Sequence, residues 1–131
     1  MREYAEVYKA VADETRLMIL ALILQHGECC VCDVMEVCGI TQSKASRHLR
    51  YLKHAGLVDD RRDGTWVYYR MDGKRSVAAG EILAVNAPLL LQLQADEIAR
   101  RVKEWNQRKR AFGACQKNPV NTEEGEKNDE R

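Results

Sequence analysis

Hydrophobic positions recur at helical spacing along most of this chain and at strand spacing in one stretch only. Tyr4, Val7, Tyr8 and Val11 predict a first helix over residues 3–12. Asp13 is placed to cap a second helix running to about Gln25, with Leu17, Leu20, Ala21 and Leu24 as its stripe and Gly27 as its stop. His26, beside that stop, is expected as a cap or solvent residue. A short third helix begins near Cys30 to Cys32, carries Asp33 in its first turn and runs to about Val37, and Cys38-Gly39-Ile40 makes the turn after it. Thr41 then caps a fourth helix, Gln42 to about Ala55, stopped by Gly56. Ala45, Leu49 and Leu52 form its apolar face, while Ser43, Ser46, Arg47, Arg50 and His54 collect on the other side at 100° per residue.

The strand-like stretch comes next. Two runs flank Asp63-Gly64, a strong hairpin signal, and Trp66, Val67, Tyr68 and Tyr69 favour extended backbone. A short helix, a turn, a longer helix and a hairpin with a basic tip are the parts of a winged helix-turn-helix. The predicted class is therefore mainly α with a small β-hairpin wing. In that arrangement Arg47 and Arg50 would bond guanine, Ser43 and Ser46 a base or a phosphate, and Gln42 an adenine. Arg61 and Arg62 would touch backbone or minor groove from the wing tip. Beyond the wing, Ser76 to Val85 predicts a helix and Asn86-Ala87-Pro88 a break. Leu91, Ala95, Ile98, Val102 and Trp105 then mark a long amphipathic helix over 88–110. A domain this small has little core left for that stripe, which is expected to form a dimer interface together with helix 1. The domain is expected to span 1–111, with 112–131 a disordered polar, acidic tail.

Charge sharpens the picture. The chain has 131 residues and a net charge of only +1. Residues 1–40 carry net −4, residues 41–75 net +5, residues 76–117 net +3 and residues 118–131 net −3. Positive charge is thus concentrated on the segment expected to read DNA, where phosphate binding needs it. No apolar run reaches the roughly 18–20 residues of a membrane span, and the start lacks a signal peptide's apolar region. That predicts a soluble cytoplasmic protein, where thiols stay reduced. Of the five cysteines, Cys29, Cys30 and Cys32 fall within four residues. Such a cluster points to metal binding or redox sensing rather than disulfide staples. Its place at a helix N-terminus is expected to lower the thiol pKa. A thiol reductase would want a Cys-x-x-Cys pair on a strand–helix unit, which is not visible, so no enzymatic activity is expected.

Three stretches then resemble the ArsR/SmtB family of metalloregulatory repressors: Ala10-Val11-Ala12-Asp13-Glu14-Thr15-Arg16-Leu17, Ser43-Lys44-Ala45-Ser46-Arg47-His48-Leu49, and Asp63-Gly64-Thr65-Trp66-Val67-Tyr68-Tyr69-Arg70. The resemblance implies a homodimer on double-stranded operator DNA, released when a metal or metalloid binds. The family's arsenical branch carries Cys-Val-Cys-Asp-Leu-Cys before the recognition helix. Cys30-Val31-Cys32-Asp33-Val34-Met35 is similar, with Met35 in place of the third cysteine. The resemblance thus implies Cys30 and Cys32 as ligands for As(III) or Sb(III), which take three thiolates. Cys30 and Cys32 lie about 200° apart on a regular helix, so joint chelation is expected to unwind the helix start. Cys29, three residues from Cys32, shares its face and is the expected third ligand, with Cys38 and Cys115 as the other candidates. His48 is implied as a phosphate contact, with packing against the wing as the alternative. The family's cadmium and lead sensors add N-terminal cysteines, and residues 1–28 have none. Its zinc sensors place His on the last helix, and residues 76–117 have none. The same fold sensing redox state or persulfide through a Cys29–Cys38 or Cys32–Cys38 disulfide remains an alternative, as does a cadmium or lead sensor.

Overall fold

The computed structural model describes residues 1–112. Its elements follow in the order α1 (Arg2–Val11), α2 (Glu14–His26), β1 (Cys29–Cys30), α3 (Val31–Cys38), α4 (Gln42–His54), β2 (Val58–Asp63), β3 (Trp66–Met71), α5 (Val77–Gln92) and α6 (Ala95–Phe112). α2 is the hub. The Asp13 carboxylate accepts from the Arg16 N–H at 3.0 Å and so caps it, and Gly27 ends it at φ 90°. Ile19, Leu20, Ala21, Leu22 and Ile23 are all buried, because α1, α3, α4, α5, α6 and β3 surround the helix. The single stripe expected from the sequence is thus too narrow: a helix walled in on every side is apolar all round. His26 is buried with it rather than exposed to solvent.

α3 and α4 form the helix-turn-helix. Gly39 makes the turn at φ 70°, a left-handed conformation that costs glycine little. Thr41 Oγ1 accepts from the Lys44 N–H at 3.2 Å. Ala45, Leu49 and Leu52 are fully buried, as their spacing predicts. The wing pairs Asp63 with Trp66, so its two-residue loop is Gly64-Thr65, one position later than expected. A third strand that the sequence did not suggest completes the sheet in the order β1-β3-β2. β1 is only Cys29 and Cys30, paired antiparallel with Tyr69 and Tyr68. Two residues leave no periodicity; only the neighbouring strand makes them one.

The largest departure lies beyond the wing. The chain does not break at Asn86-Ala87-Pro88: α5 continues through Pro88 to Gln92, and the bend falls at Leu93-Gln94, with Gln94 at φ 50°. Asn86 Nδ2 donates to the Ile82 carbonyl at 2.8 Å. Gln25 Nε2 donates to the carbonyls of Leu90 (2.9 Å) and Leu93 (3.0 Å), so α2 supplies partners for the end of α5. α6 then folds back and buries Ile98, Val102 and Trp105 against α2 and α3 of the same chain. Ile98, Val102 and Trp105 of the stripe predicted as a dimer seam are therefore core, while Leu91 at its start stays exposed. Exposed apolar side chains lie instead on α5 (Val77, Val85, Leu89, Leu91) and on α1 (Tyr8). α1 and α5 pack together, with the Tyr4 hydroxyl donating to Glu81 at 2.8 Å. No single described helix is long and apolar enough to cross a membrane. The segment expected as a tail lies, from residue 113 on, outside the described residues.

Candidate thiol site and nucleic-acid face

Cys30 sits at the N-cap of α3, in extended backbone (φ −89°, ψ 176°), and Cys32 is the second residue of the helix. The 200° separation of two positions within a regular helix therefore does not govern this pair, and bringing Cys30 toward Cys32 does not demand an unwound helix. A reciprocal cap holds Cys30: the Asp33 N–H points to its sulfur, and Asp33 Oδ2 accepts from the Cys30 N–H at 2.9 Å. Cys29 precedes it on β1, and neighbours on a strand face opposite ways. Cys29 is fully buried in the core, its sulfur directed at the Gly27 carbonyl (3.4 Å). It does not join Cys30 and Cys32 as a third ligand in this arrangement. Among the described residues no three His, Cys, Asp or Glu side chains stand close enough to hold one ion. Cys38 is the last residue of α3, and Cys115 lies outside the described residues.

Cys29, Cys30 and Cys38 are free thiols. Neither the Cys29–Cys38 nor the Cys32–Cys38 bridge is formed. The helix N-terminus does not lower the thiol pKa as expected. Burial, followed by the nearby Asp33 carboxylate, pushes Cys30 up to about 11. Burial pushes Cys38 up to about 12 and Cys29 well above the ordinary thiol range. Desolvation of a thiolate outweighs the helix dipole here. These sulfurs keep their protons until a thiophilic ion displaces them.

Asp33 connects this site to α6. Its Oδ1 accepts from Trp105 Nε1 at 2.8 Å and from Lys109 Nζ at 2.6 Å. Further along, Arg101 Nη1 donates to the Val37 carbonyl at 2.9 Å, and Arg108 pairs with Glu36 at 2.8 Å. Sequence reasoning assigned Asp33 only to the helix dipole. The available signal was the i, i+4, i+8 spacing of Arg101, Trp105 and Lys109. Glu28 connects β1 to the wing: it accepts from Arg61 Nε (3.1 Å) and Nη2 (2.7 Å), and Arg70 lies at 3.6 Å. Arg61 also lies over the Tyr68 ring, 4.9 Å from its centre.

Of the side chains expected to read DNA, Gln42, Ser43, Arg47 and Arg50 are exposed on α4, and Arg62 on the wing. Ser46 and His48 are half-buried, and Arg61 is held by Glu28. His48 packs against α2 rather than the wing: its Nδ1 lies 3.3 Å from Arg16 Nη1. A guanidinium can only donate, so Nδ1 accepts and the ring proton sits on Nε2. Burial lowers the His48 pKa, so a phosphate contact there would come from a neutral donor. Arg16 also donates from Nε to the Ala10 carbonyl at 2.7 Å and lies 4.1 Å above the Tyr51 ring, tying α1, α2 and α4 together.

Residues 13–60 match the family described as "Bacterial regulatory protein, arsR family". The chain is 38% identical to the arsenic resistance transcriptional regulator ArsR2 of Pseudomonas putida over 84% of its own length and 95% of that protein's. It is 48% identical to ArsR1 of the same organism, over 50% of its own length and 51% of that protein's. Among solved structures, a homodimeric winged helix-turn-helix DNA-binding domain of a possible ArsR-family transcriptional regulator from Mycobacterium bovis is 38% identical. That likeness covers 73% of this chain and 81% of the other, with a TM-score of 0.55.

Proposed function

The chain belongs to the ArsR family of winged helix-turn-helix transcriptional repressors, and from that premise we propose that trivalent arsenicals release it from its operator by binding Cys30 and Cys32. One observation carries this reading: the two cysteines occupy the N-cap and first turn of α3, the helix packed directly on α4. Two soft sulfurs at the head of the helix-turn-helix suit arsenite or antimonite. Cys30 is also the second residue of β1, which pairs with the wing, so a ligand there displaces both DNA-contacting elements at one point. Gln42, Ser43, Ser46, Arg47, His48, Arg50 and Arg62 are the DNA contacts, and Arg61 joins them when Glu28 lets go. The exposed apolar residues of α5 and α1 form the homodimer face. Two copies of α4 then enter successive major grooves about 34 Å apart.

Operator binding by the reduced protein, followed by fluorescence anisotropy, tests the reading. Cys30→Ser with Cys32→Ser retains operator affinity and loses release by arsenite, whereas Cys29→Ala retains both. A double variant that arsenite still releases places the site elsewhere. The rival reading is that oxidation of the cysteine cluster is itself the signal. The same titration with peroxide or a persulfide donor separates the two. Release by oxidant but not by arsenite or cadmium supports the redox reading.

A further inference from the structure

The side chains of Asp33 and Lys109 are each only 3% exposed. An ion pair buried this deeply recovers its desolvation only with close geometry and filled hydrogen bonds, and apolar residues of similar shape often serve stability as well. What this pair adds is a fixed place for one carboxylate. Asp33 Oδ1 takes hydrogen bonds from α6, through Trp105 and Lys109, while Oδ2 holds the Cys30 N–H. Cys32 is its immediate neighbour in sequence.

We propose that Trp105 and Lys109 are positioning residues that hold the Cys30 end of α3 in its unliganded arrangement, through Asp33, and that α6 thereby sets the inducer concentration at which the protein leaves DNA. This rests on the reading that Cys30 and Cys32 bind a trivalent arsenical. Cys30 is 2% exposed, its sulfur is engaged by the Asp33 N–H, and no three ligating groups are gathered among the described residues. Ligation therefore requires Cys30 to leave its cap. Asp33 is bonded to the Cys30 backbone, so that departure pulls the carboxylate from Trp105 and Lys109. Contacts present only in the unliganded arrangement oppose the ligand by their full differential strength. Arg108 on Glu36 and Arg101 on the Val37 carbonyl keep the rest of α3 against α6, which confines the movement to the first turn.

The full chain, kept reduced with a phosphine, is titrated with sodium arsenite while bound to labelled operator. Trp105→Phe keeps the ring packing and removes only the N–H donor. Asp33→Asn with Lys109→Met removes both charges together, so neither is left buried and unpaired. Both variants should bind operator as wild type does and release at an arsenite concentration lower by about tenfold, the scale of one hydrogen bond to a charged group. Lys109→Arg, which keeps the cation, should return the midpoint toward wild type. In a Trp66→Phe background Trp105 is the sole tryptophan of the two in the chain, and its emission should change at the release midpoint. An unchanged or higher midpoint, weakened operator binding without arsenite, or Trp105 emission that stays flat through release would each overturn the proposal. Wild-type protein that arsenite does not release removes the underlying reading and this one with it. Wild-type release with unmoved variants removes this one alone.

Discussion

At His48 burial lowers the pKa, and a guanidinium fixes the tautomer, of a side chain expected to touch phosphate. Arg16 fixes the tautomer, and Arg47 and Lys44 add further positive charge that disfavours protonation, against the opposing pull of Asp13. Desolvation is the largest cause, and the net direction is a pKa below the ordinary 6.5. The native state therefore binds fewer protons here than the unfolded chain does. The associated stability is whole above the unfolded value of 6.5 and is lost as pH falls below it. Asp13, whose carboxyl is lowered chiefly by the Arg16 N–H, acts in the same direction but only as pH falls below 3.8. Thermal unfolding should thus show a Tm that declines from about pH 7.5 to about pH 5.5. His48→Gln should flatten that decline, and an equal slope in the variant would assign it to another group. The thiols teach the same lesson. Proximity to a helix N-terminus is legible in a sequence, but the degree of burial that overrides it is not.

Among elements, β1 carries the most consequence for its size. Its two residues add a strand to the wing, and Glu28 at its start neutralises Arg61 through a two-pronged contact, with side chains 38% and 31% exposed. Exposed pairs of this kind contribute little stability, and on the proposed set of DNA contacts this one keeps Arg61 occupied. Glu28→Gln should free Arg61 for a phosphate. The plot of log operator affinity against log salt should then steepen by up to about 0.9, the value of one further phosphate contact. Anisotropy titrations at several salt concentrations read this slope, and an unchanged slope would leave Arg61 outside the interface. α5 and α6 make the complementary point. Pro88 predicts a break, yet the helix runs through it, because Gln25 of α2 holds the carbonyls at the far end and the bend forms there. A proline limits its own turn; which turn the chain bends at depends on partners from elsewhere.

For the whole molecule, the question is which apolar surface remains for a second copy. Packing of α6 into the chain's own core leaves α5 and α1 with exposed Val85 (76%), Leu89 (56%) and Tyr8 (54%). Charged substitutions at exposed positions leave the monomer's core intact, so Val85→Glu with Leu89→Glu should fold with a near-wild-type Tm. Sedimentation should find it monomeric. Its operator affinity should fall by a hundredfold or more, on the order of what linking two half-site readers contributes. A double variant that remains dimeric would move the interface off α5.

Spacing and punctuation along the chain were enough to define the reader. Asp13, Thr41, Gly39 and Gly64 act within a turn or two of their own positions, and the Ala45, Leu49 and Leu52 stripe reports one face of one helix. The winged helix-turn-helix, the exposed α4 side chains and the family could therefore be read before any coordinates. What the tertiary structure decided were the relations between distant segments. It made Cys29 and Cys30 a strand, put Cys29 in the core and Cys30 at a cap, turned the α6 stripe inward and joined Asp33 to Lys109 across 76 residues. Local propensity acts over a few bonds. Burial and pairing depend on what else arrives at the same place, and the character of the thiol site depends on them.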